Sequence, residues 1–260
     1  MPPPLDETPP DERRLDIAAG ERGLARSRTQ AAELIRSGQM AVNGRVIRRP
    51  AYVVTPRDLV TLEGEACPFV GRGGLKLAAA LTAFAVRTER TSWLDIGSST
   101  GGFTDCLLRA GASRVVGIDV GHGQLAETLA ADPRVENHEG VNARELKDVH
   151  FGTPFDGVAI DVSFISITLI LERAAAQLAP GGTLIALIKP QFEVGAGRLG
   201  KGGIVREEAG RRAAVERAAD FGRTACGLRP RGSIPSPISG GDGNVEYLAC
   251  FLKEGTDGGI

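Results

Sequence analysis

From residue 76 onward, short apolar runs alternate with amphipathic stretches. The runs at about 92–97, 114–119, 134–138, 156–161, 182–188, 227–234 and 245–252 read as seven strands. Stretches with helical spacing fall at about 75–87, 102–110, 123–130, 165–179 and 206–221. Strands alternating with helices imply an α/β fold with a doubly wound, mostly parallel sheet. The last two strands are joined by the Gly/Ser/Pro-rich stretch 235–244 with no helix between them, which predicts an antiparallel pair. Residues 13–62 have shorter periods. Ser27 is placed to cap a helix over 27–36, with apolar positions 31, 34 and 35 and Gly38 behind it. Asn43-Gly44 inside 40–47 predicts a hairpin, and 53–54 with 60–62 a further strand pair. Two helices and a small sheet make a compact α+β module, followed by a linker at 63–75 and the larger domain at 76–260. The proline-rich, acidic residues 1–12 read as a disordered tail.

Composition changes this picture locally. The 260-residue chain carries a net charge of −1. Yet residues 13–50 hold nine arginines against Asp16, Glu21 and Glu33. A basic patch on a near-neutral protein suggests a nucleic-acid surface. Its candidate contacts are Arg14, Arg26, Arg28, Arg36 and Arg45. The four cysteines are scattered, and His122, His138 and His150 lack ligand spacing, so neither a disulfide framework nor a metal site is expected. No stretch approaches the roughly 18 apolar residues of a membrane helix. The start lacks the basic and apolar regions of a secretory signal, so a cytoplasmic location is expected.

Two sets of residues carry candidate chemistry. The first is Leu94-Asp-Ile-Gly-Ser-Ser-Thr-Gly-Gly-Phe103, between the first core strand and its helix. Glycines there let backbone approach a ligand, and Asp119 at the end of the next strand is placed for ribose hydroxyls. The spacing is not that of the dinucleotide fingerprint, which sets a dehydrogenase aside. With Asp95 before it, the loop looks like the S-adenosylmethionine loop of class I methyltransferases. On that likeness the cofactor contacts are Asp95, Gly97, Ser98, Ser99, Thr100, Gly101, Gly102, Phe103 and Asp119, with Asn142 for the adenine. The alternative for the loop is a tight turn without a ligand, and for Asn142 a turn-forming role.

The second set is Lys76, Asp161, Lys189 and Glu246, four charges tied to apolar or glycine-rich elements. Charges are rare in such places unless paired or used. Asp161 and Lys189 end consecutive predicted strands and should lie side by side. Methyl transfer to a hydroxyl needs an in-line nucleophile and a proton acceptor. A lysine can accept that proton only if burial or a second cation lowers its pKa. Each residue taken alone could equally be half of a structural ion pair.

The four match in order and context the Lys-Asp-Lys-Glu tetrad of FtsJ-type RNA ribose 2'-O-methyltransferases. The arginine-rich module resembles an S4 RNA-binding domain. Together with Arg72-Gly-Gly-Leu-Lys, Asp161-Val-Ser-Phe and Lys189-Pro-Gln-Phe-Glu, they resemble the TlyA family, some of whose members are called haemolysins. The resemblance covers about residues 13–253. It departs at Gly71, where the family usually has Ser, and at Ile17-Ala-Ala-Gly, where a Leu is usual and S4 packing is expected to loosen.

This resemblance implies a Rossmann-like class I methyltransferase domain with a seven-stranded, mostly parallel sheet, behind a small N-terminal S4 domain. It implies S-adenosyl-L-methionine as cofactor, ribosomal RNA or ribosomal subunits as partner, and a cytidine ribose as acceptor. An effect on susceptibility to capreomycin-type antibiotics is also implied. Lys189 would be the general base, Asp161 would position hydroxyl and methyl group, and Lys76 and Glu246 would hold the arrangement.

Two weaker signals remain. Loop 191–205 is glycine-rich, carries Arg198 and Lys201, and is placed to close on RNA; the alternative is a solvated connection. Phe164 could stack on a flipped-out base or belong to the core. A non-catalytic RNA-binding assembly factor and a pore-forming haemolysin are the competing functions.

Overall fold

A computed structural model of the chain describes residues 12–25, 27–63, 67–148, 151–195, 197, 199–200 and 202–255. The chain divides into two compact units, Met1–Ala66 and Cys67–Ile260. The tail expected at 1–12 lies outside the described residues except for Glu12.

The first unit holds β1 (Arg13–Arg14), α1 (Leu15–Glu21), α2 (Arg28–Ser37), β2 (Met40–Val42), β3 (Arg45–Val46), β4 (Val53–Val54) and β5 (Val60–Leu62). Ser27 caps α2, its side chain accepting from the Gln30 N–H, and Gly38 ends it in the left-handed region. Asn43 and Gly44 both take positive φ in the two-residue β2–β3 turn, as the Asn-Gly pair predicts. The strand pair expected between 53–54 and 60–62 does not form. β4 pairs with β1 and β5 with β2, because Asp58 folds the intervening turn back on Thr55 and Asn43 and sends the two strands to different partners. Ala18 and Ala19 are fully buried beside Leu15, Ile35 and Met40, so the module closes over the small residues at the Ile17-Ala-Ala-Gly departure.

The second unit is a seven-stranded sheet. Its strands are β6 (Ser92–Ile96), β7 (Arg114–Asp119), β8 (Val135–Glu139), β9 (Phe155–Ile160), β10 (Leu178–Ile188), β11 (Leu228–Pro235) and β12 (Tyr247–Lys253). Their spatial order is β11-β12-β10-β9-β6-β7-β8. β12 runs antiparallel to both of its neighbours and every other pairing is parallel. Helices α3 (Gly73–Ala83), α4 (Gly102–Arg109) and α5 (Glu127–Ala130) cover one face through Leu77, Phe103 and Leu129. Helices α6 (Thr168–Ala176) and α7 (Glu208–Ala225) cover the other through Ile170, Leu171 and Ala214. A sheet covered on both faces must be apolar on both, which is why its strands read as continuous apolar runs.

Several elements of the second unit differ from the sequence reading. α3 starts inside the segment read as linker. The helix expected over 123–130 shrinks to one turn, because Gly121 and Gly123 sit in a turn held by Asp119 and Glu139. A 3-10 helix at Ala143–Asp148 went unread.

Candidate active site

The sheet register brings the charged residues to one edge. Ile96 is level with Ile160, so Gly97 and Asp161 leave β6 and β9 together. Ala186 is level with Ile160, so Lys189 and Ser163 leave β10 and β9 at the same height. Ile188 faces Tyr247 across the antiparallel pair, which sets Glu246 opposite Lys189. Glu246 therefore precedes the last strand rather than lying in it, as the sequence reading had it.

All four charged residues meet in two pairs. Lys189 Nζ lies 2.7 Å from Asp161 Oδ1 and donates to Ser163 Oγ at 2.8 Å. Lys76 Nζ, from the second turn of α3, lies 2.6 Å from Glu246 Oε2, and both side chains are buried. Burial pushes the Asp161 carboxyl up, but the ammonium groups of Lys189 and Lys76 and the Lys189 hydrogen bond outweigh it and hold the carboxyl below its usual range. Arg72 donates to the Ser239 carbonyl at 3.0 Å, joining the start of α3 to the loop that leads to Glu246.

A cavity of about 590 Å³ opens beside Asp161, lined among others by Gly97, Ser99, Asp119, Asn142, Ser163 and Phe164. Gly97 has φ +87°, and a Cβ there would collide with the Asp161 carbonyl oxygen, so only glycine lets the two loops meet. Asp119 accepts the Ser99 N–H on Oδ2 and the Gly121 N–H on Oδ1, which fixes the carboxylate and leaves lone pairs for two hydroxyls. Asn142 makes the turn of the alternative reading, its Oδ1 accepting the Arg144 N–H, while its side chain also faces the cavity.

The rest of the expected cofactor set does not line this cavity. Phe103 is core, packed against Gly73, and Gly102 lets α4 approach Gly71–Gly74 closely. Gly101 backs onto Leu125 and Leu129, and Thr100 faces Gly71. Their residue types are explained by packing. Asp95 and Ser98 are buried beneath the loop, and each keeps a polar oxygen, Asp95 Oδ1 and Ser98 Oγ, without a partner. Thr104 donates to the other Asp95 oxygen at 2.7 Å. Burial lifts the Asp95 carboxyl to about 7; Thr104 opposes this, while the charges of Asp161 and Asp119 add to it. Two unmet acceptors under a glycine cradle, with a fixed acid for ribose hydroxyls, fit a nucleoside cofactor with a cationic end.

Phe164 is not core. It is 88% exposed at the cavity mouth, with φ +65° and its ring 5.3 Å from that of Phe192. Loop 191–205 is tied at both ends. Buried Glu193 accepts from Ser166 Oγ and the Ile167 N–H ahead of α6, and buried Asn244 binds the Val205 N–H and the Gly203 carbonyl. Arg198 and Lys201, with Arg26 in the first unit, lie outside the described residues. In that first unit, Arg14 and Arg28 both clamp buried Asp16, at 2.9 and 3.1 Å, so structural pairing accounts for them. Arg36 and Arg45 are exposed.

An FtsJ-like methyltransferase model matches residues 69–253, and an S4 domain model matches residues 13–60. The 16S/23S rRNA (cytidine-2'-O)-methyltransferase TlyA of Mycobacterium tuberculosis is 41% identical over 94% of this chain and 91% of its own. The chain belongs to the TlyA family of FtsJ-like methyltransferases. Hemolysin A of Brachyspira hyodysenteriae is 38% identical to this FtsJ-like chain, over 92% of it and 99% of its own length. A solved structure from Streptococcus thermophilus, also under a hemolysin name, is 39% identical and superposes with a TM-score of 0.74, covering 94% of this chain and 89% of that one. No helix among the described residues is long and apolar enough to cross a membrane.

Ser163 and Glu193 lie inside the Asp161-Val-Ser-Phe and Lys189-Pro-Gln-Phe-Glu motifs but carried no role in the sequence reading, and Asn244 was not singled out. Ser163 had one usable signal, its place two residues after Asp161, level with Lys189. Glu193 and Asn244 act on segments 26 and 39 residues away, which local pattern does not reveal.

Proposed function

We propose that this chain transfers a methyl group from S-adenosylmethionine to the ribose 2'-hydroxyl of a cytidine in ribosomal RNA, on one or both ribosomal subunits. The observation that carries the proposal is the Lys189–Asp161 pair, backed by Lys76–Glu246, at the mouth of the nucleoside-sized cavity.

When bound, the cofactor supplies an electrophilic methyl group on a sulfonium. Asp119 would hold its ribose, Asn142 its adenine, and the loop at Gly97 and Ser99 its amino-acid end. Asp161, kept ionised, orients Lys189 by accepting from its amine and attracts the cationic centre toward the pair. Lys189 removes the proton of the acceptor hydroxyl as the oxygen attacks in line. Lys76 pairs with Glu246 and holds its ammonium near enough to Asp161 to help keep that carboxyl ionised. Phe164, with Phe192 behind it, offers an exposed ring face on which an extruded base can stack. Arg36 and Arg45 supply phosphate contacts that recognise RNA shape.

Mass-spectrometric mapping of ribose methylation, on ribosomal RNA from cells with and without the chain, tests this reading. One or more 2'-O-methylcytidines should disappear with the chain, return with the wild type, and stay absent with Lys189→Ala. An identical map in all three sinks the reading. The relatives' hemolysin names give a second function to check, and dye leakage from liposomes treated with purified chain is the direct assay.

A further inference from the structure

We propose that Ser163 is a positioning residue for the base, fixing the direction in which the Lys189 lone pair points. The inference rests on the methyl-transfer reading above and concerns this chain's own residues.

An amine that acts as a base is neutral, with two N–H groups and one lone pair in a tetrahedral arrangement. Lys189 Nζ has two oxygens in contact, Asp161 Oδ1 at 2.7 Å and Ser163 Oγ at 2.8 Å. With Lys76 still holding the Asp161 carboxyl low when Lys189 is neutral, the carboxylate accepts and takes one N–H. If Ser163 accepts the other, both N–H groups are used and the lone pair takes the remaining direction, away from both oxygens. Asp161 and Ser163 both line the cavity assigned above to the cofactor, at whose mouth the acceptor hydroxyl would sit. With Asp161 alone, the amine turns about its Cε–Nζ bond and the lone pair samples several directions. The two anchors come from one short stretch, Asp161-Val162-Ser163, held level with the end of β10 by the parallel register. Lys76 and Glu246 are engaged with each other at 2.6 Å.

The step balances as follows. The ribose O–H bond breaks and its proton forms the third N–H of Lys189, along the direction the lone pair held. The oxygen pair forms the new bond to carbon, and the carbon–sulfur pair stays with sulfur. Afterwards the ammonium donates to Asp161, to Ser163 and to the methylated oxygen, and returns the proton to solvent through exposed Ser163.

The test compares wild type, Ser163→Ala and Ser163→Thr on an RNA the wild type methylates. Ser163 is exposed, so its substitution should leave the fold intact. Ser163→Ala should lower kcat about tenfold, a typical share for orienting a general base. KM for the RNA and cofactor affinity by calorimetry should stay within about twofold. Ser163→Thr keeps the hydroxyl and should recover most of the rate. In the chain without ligands, amine protons of ¹⁵N-labelled Lys189 should be slowed in exchange in wild type and Ser163→Thr, and fast in Ser163→Ala. An unchanged kcat in Ser163→Ala, or a Ser163→Thr variant as slow as Ser163→Ala, overturns the inference while leaving the function standing. A wild type that methylates no RNA removes the function itself.

Discussion

At the scale of single residues, the site is a set of charges made tolerable by partners. Asp161 and Lys189 could be read from the sequence because each follows an apolar strand, and strand ends are where an open sheet binds ligands. Lys76 and Glu246 stood out as charges in glycine-rich or apolar surroundings but rested mainly on family pattern, since nothing local says that a helix residue and one 170 positions later will touch at 2.6 Å. Asp95 was legible as a position, while its burial beneath the loop, with one carboxylate oxygen left without a partner, was not. Its side chain turns inward to Thr104, which a strand's two-residue period does not reveal for its last turn. This burial has a measurable consequence. The folded carboxyl titrates near 7 against its ordinary 3.8, so the folded chain holds more protons than the unfolded one between those values. Stability from this group is fully present below 3.8 and is lost as pH rises through 7, by as much as about 4 kcal/mol. Asp95→Asn has no such titration. Its melting temperature relative to wild type should therefore rise from pH 4 to pH 8, and a difference that does not change with pH would show that Asp95 is not the titrating group.

At the scale of elements, seven strands and most helices were visible because a doubly covered sheet and its amphipathic covers impose different periods. What escaped were features set by distant residues. α6 begins later than its apolar pattern suggests, because its entry is fixed by Glu193 from beyond β10. The strands at 53–54 and 60–62 were seen, and their partners were not, since pairing depends on chain far outside either segment. The Glu193 anchor predicts a stability effect at a helix end. Glu193→Ala would leave the buried Ile167 N–H unpaired and remove a carboxylate from the start of α6, at a cost of about 1–3 kcal/mol. In a chain of this size that lowers the melting temperature by several degrees. Glu193→Gln, which can still accept, should recover part of the loss in the same thermal scan. Equal melting temperatures for wild type and Glu193→Ala would mean that the anchor contributes nothing.

At the scale of the whole molecule, the division at Ala66 and Cys67 separates an arginine-rich unit from one that contains all the residues lining the cavity of about 590 Å³ and all four tetrad residues. Residues 67–260 hold their own hydrophobic clusters on both sheet faces. That fragment should therefore fold and bind S-adenosylmethionine in a calorimeter, yet fail to methylate RNA if the S4 module supplies the phosphate contacts proposed above. Loss of cofactor binding together with methylation would instead make residues 1–66 a folding element of the whole. The near-neutral total charge hid the basic character of the first unit, which the local excess of arginine over 13–50 exposed.

The sheet register described above also says where this chain can change length. Gly97, Asp161, Ser163, Lys189 and Glu246 stand together because Ile96, Ile160, Ala186 and Ala249 are level across four strands, and Ile188 faces Tyr247 two residues further on. Inserting or deleting one residue inside β9, β10 or β12 would turn its site residue to the opposite face, since side chains alternate with a period of two. Residues can be gained or lost in the β7–β8 or β11–β12 connections without shifting that alignment. Sequence drift in length should therefore collect in the loops, while the five strand-end residues keep a fixed count from their strands' paired positions.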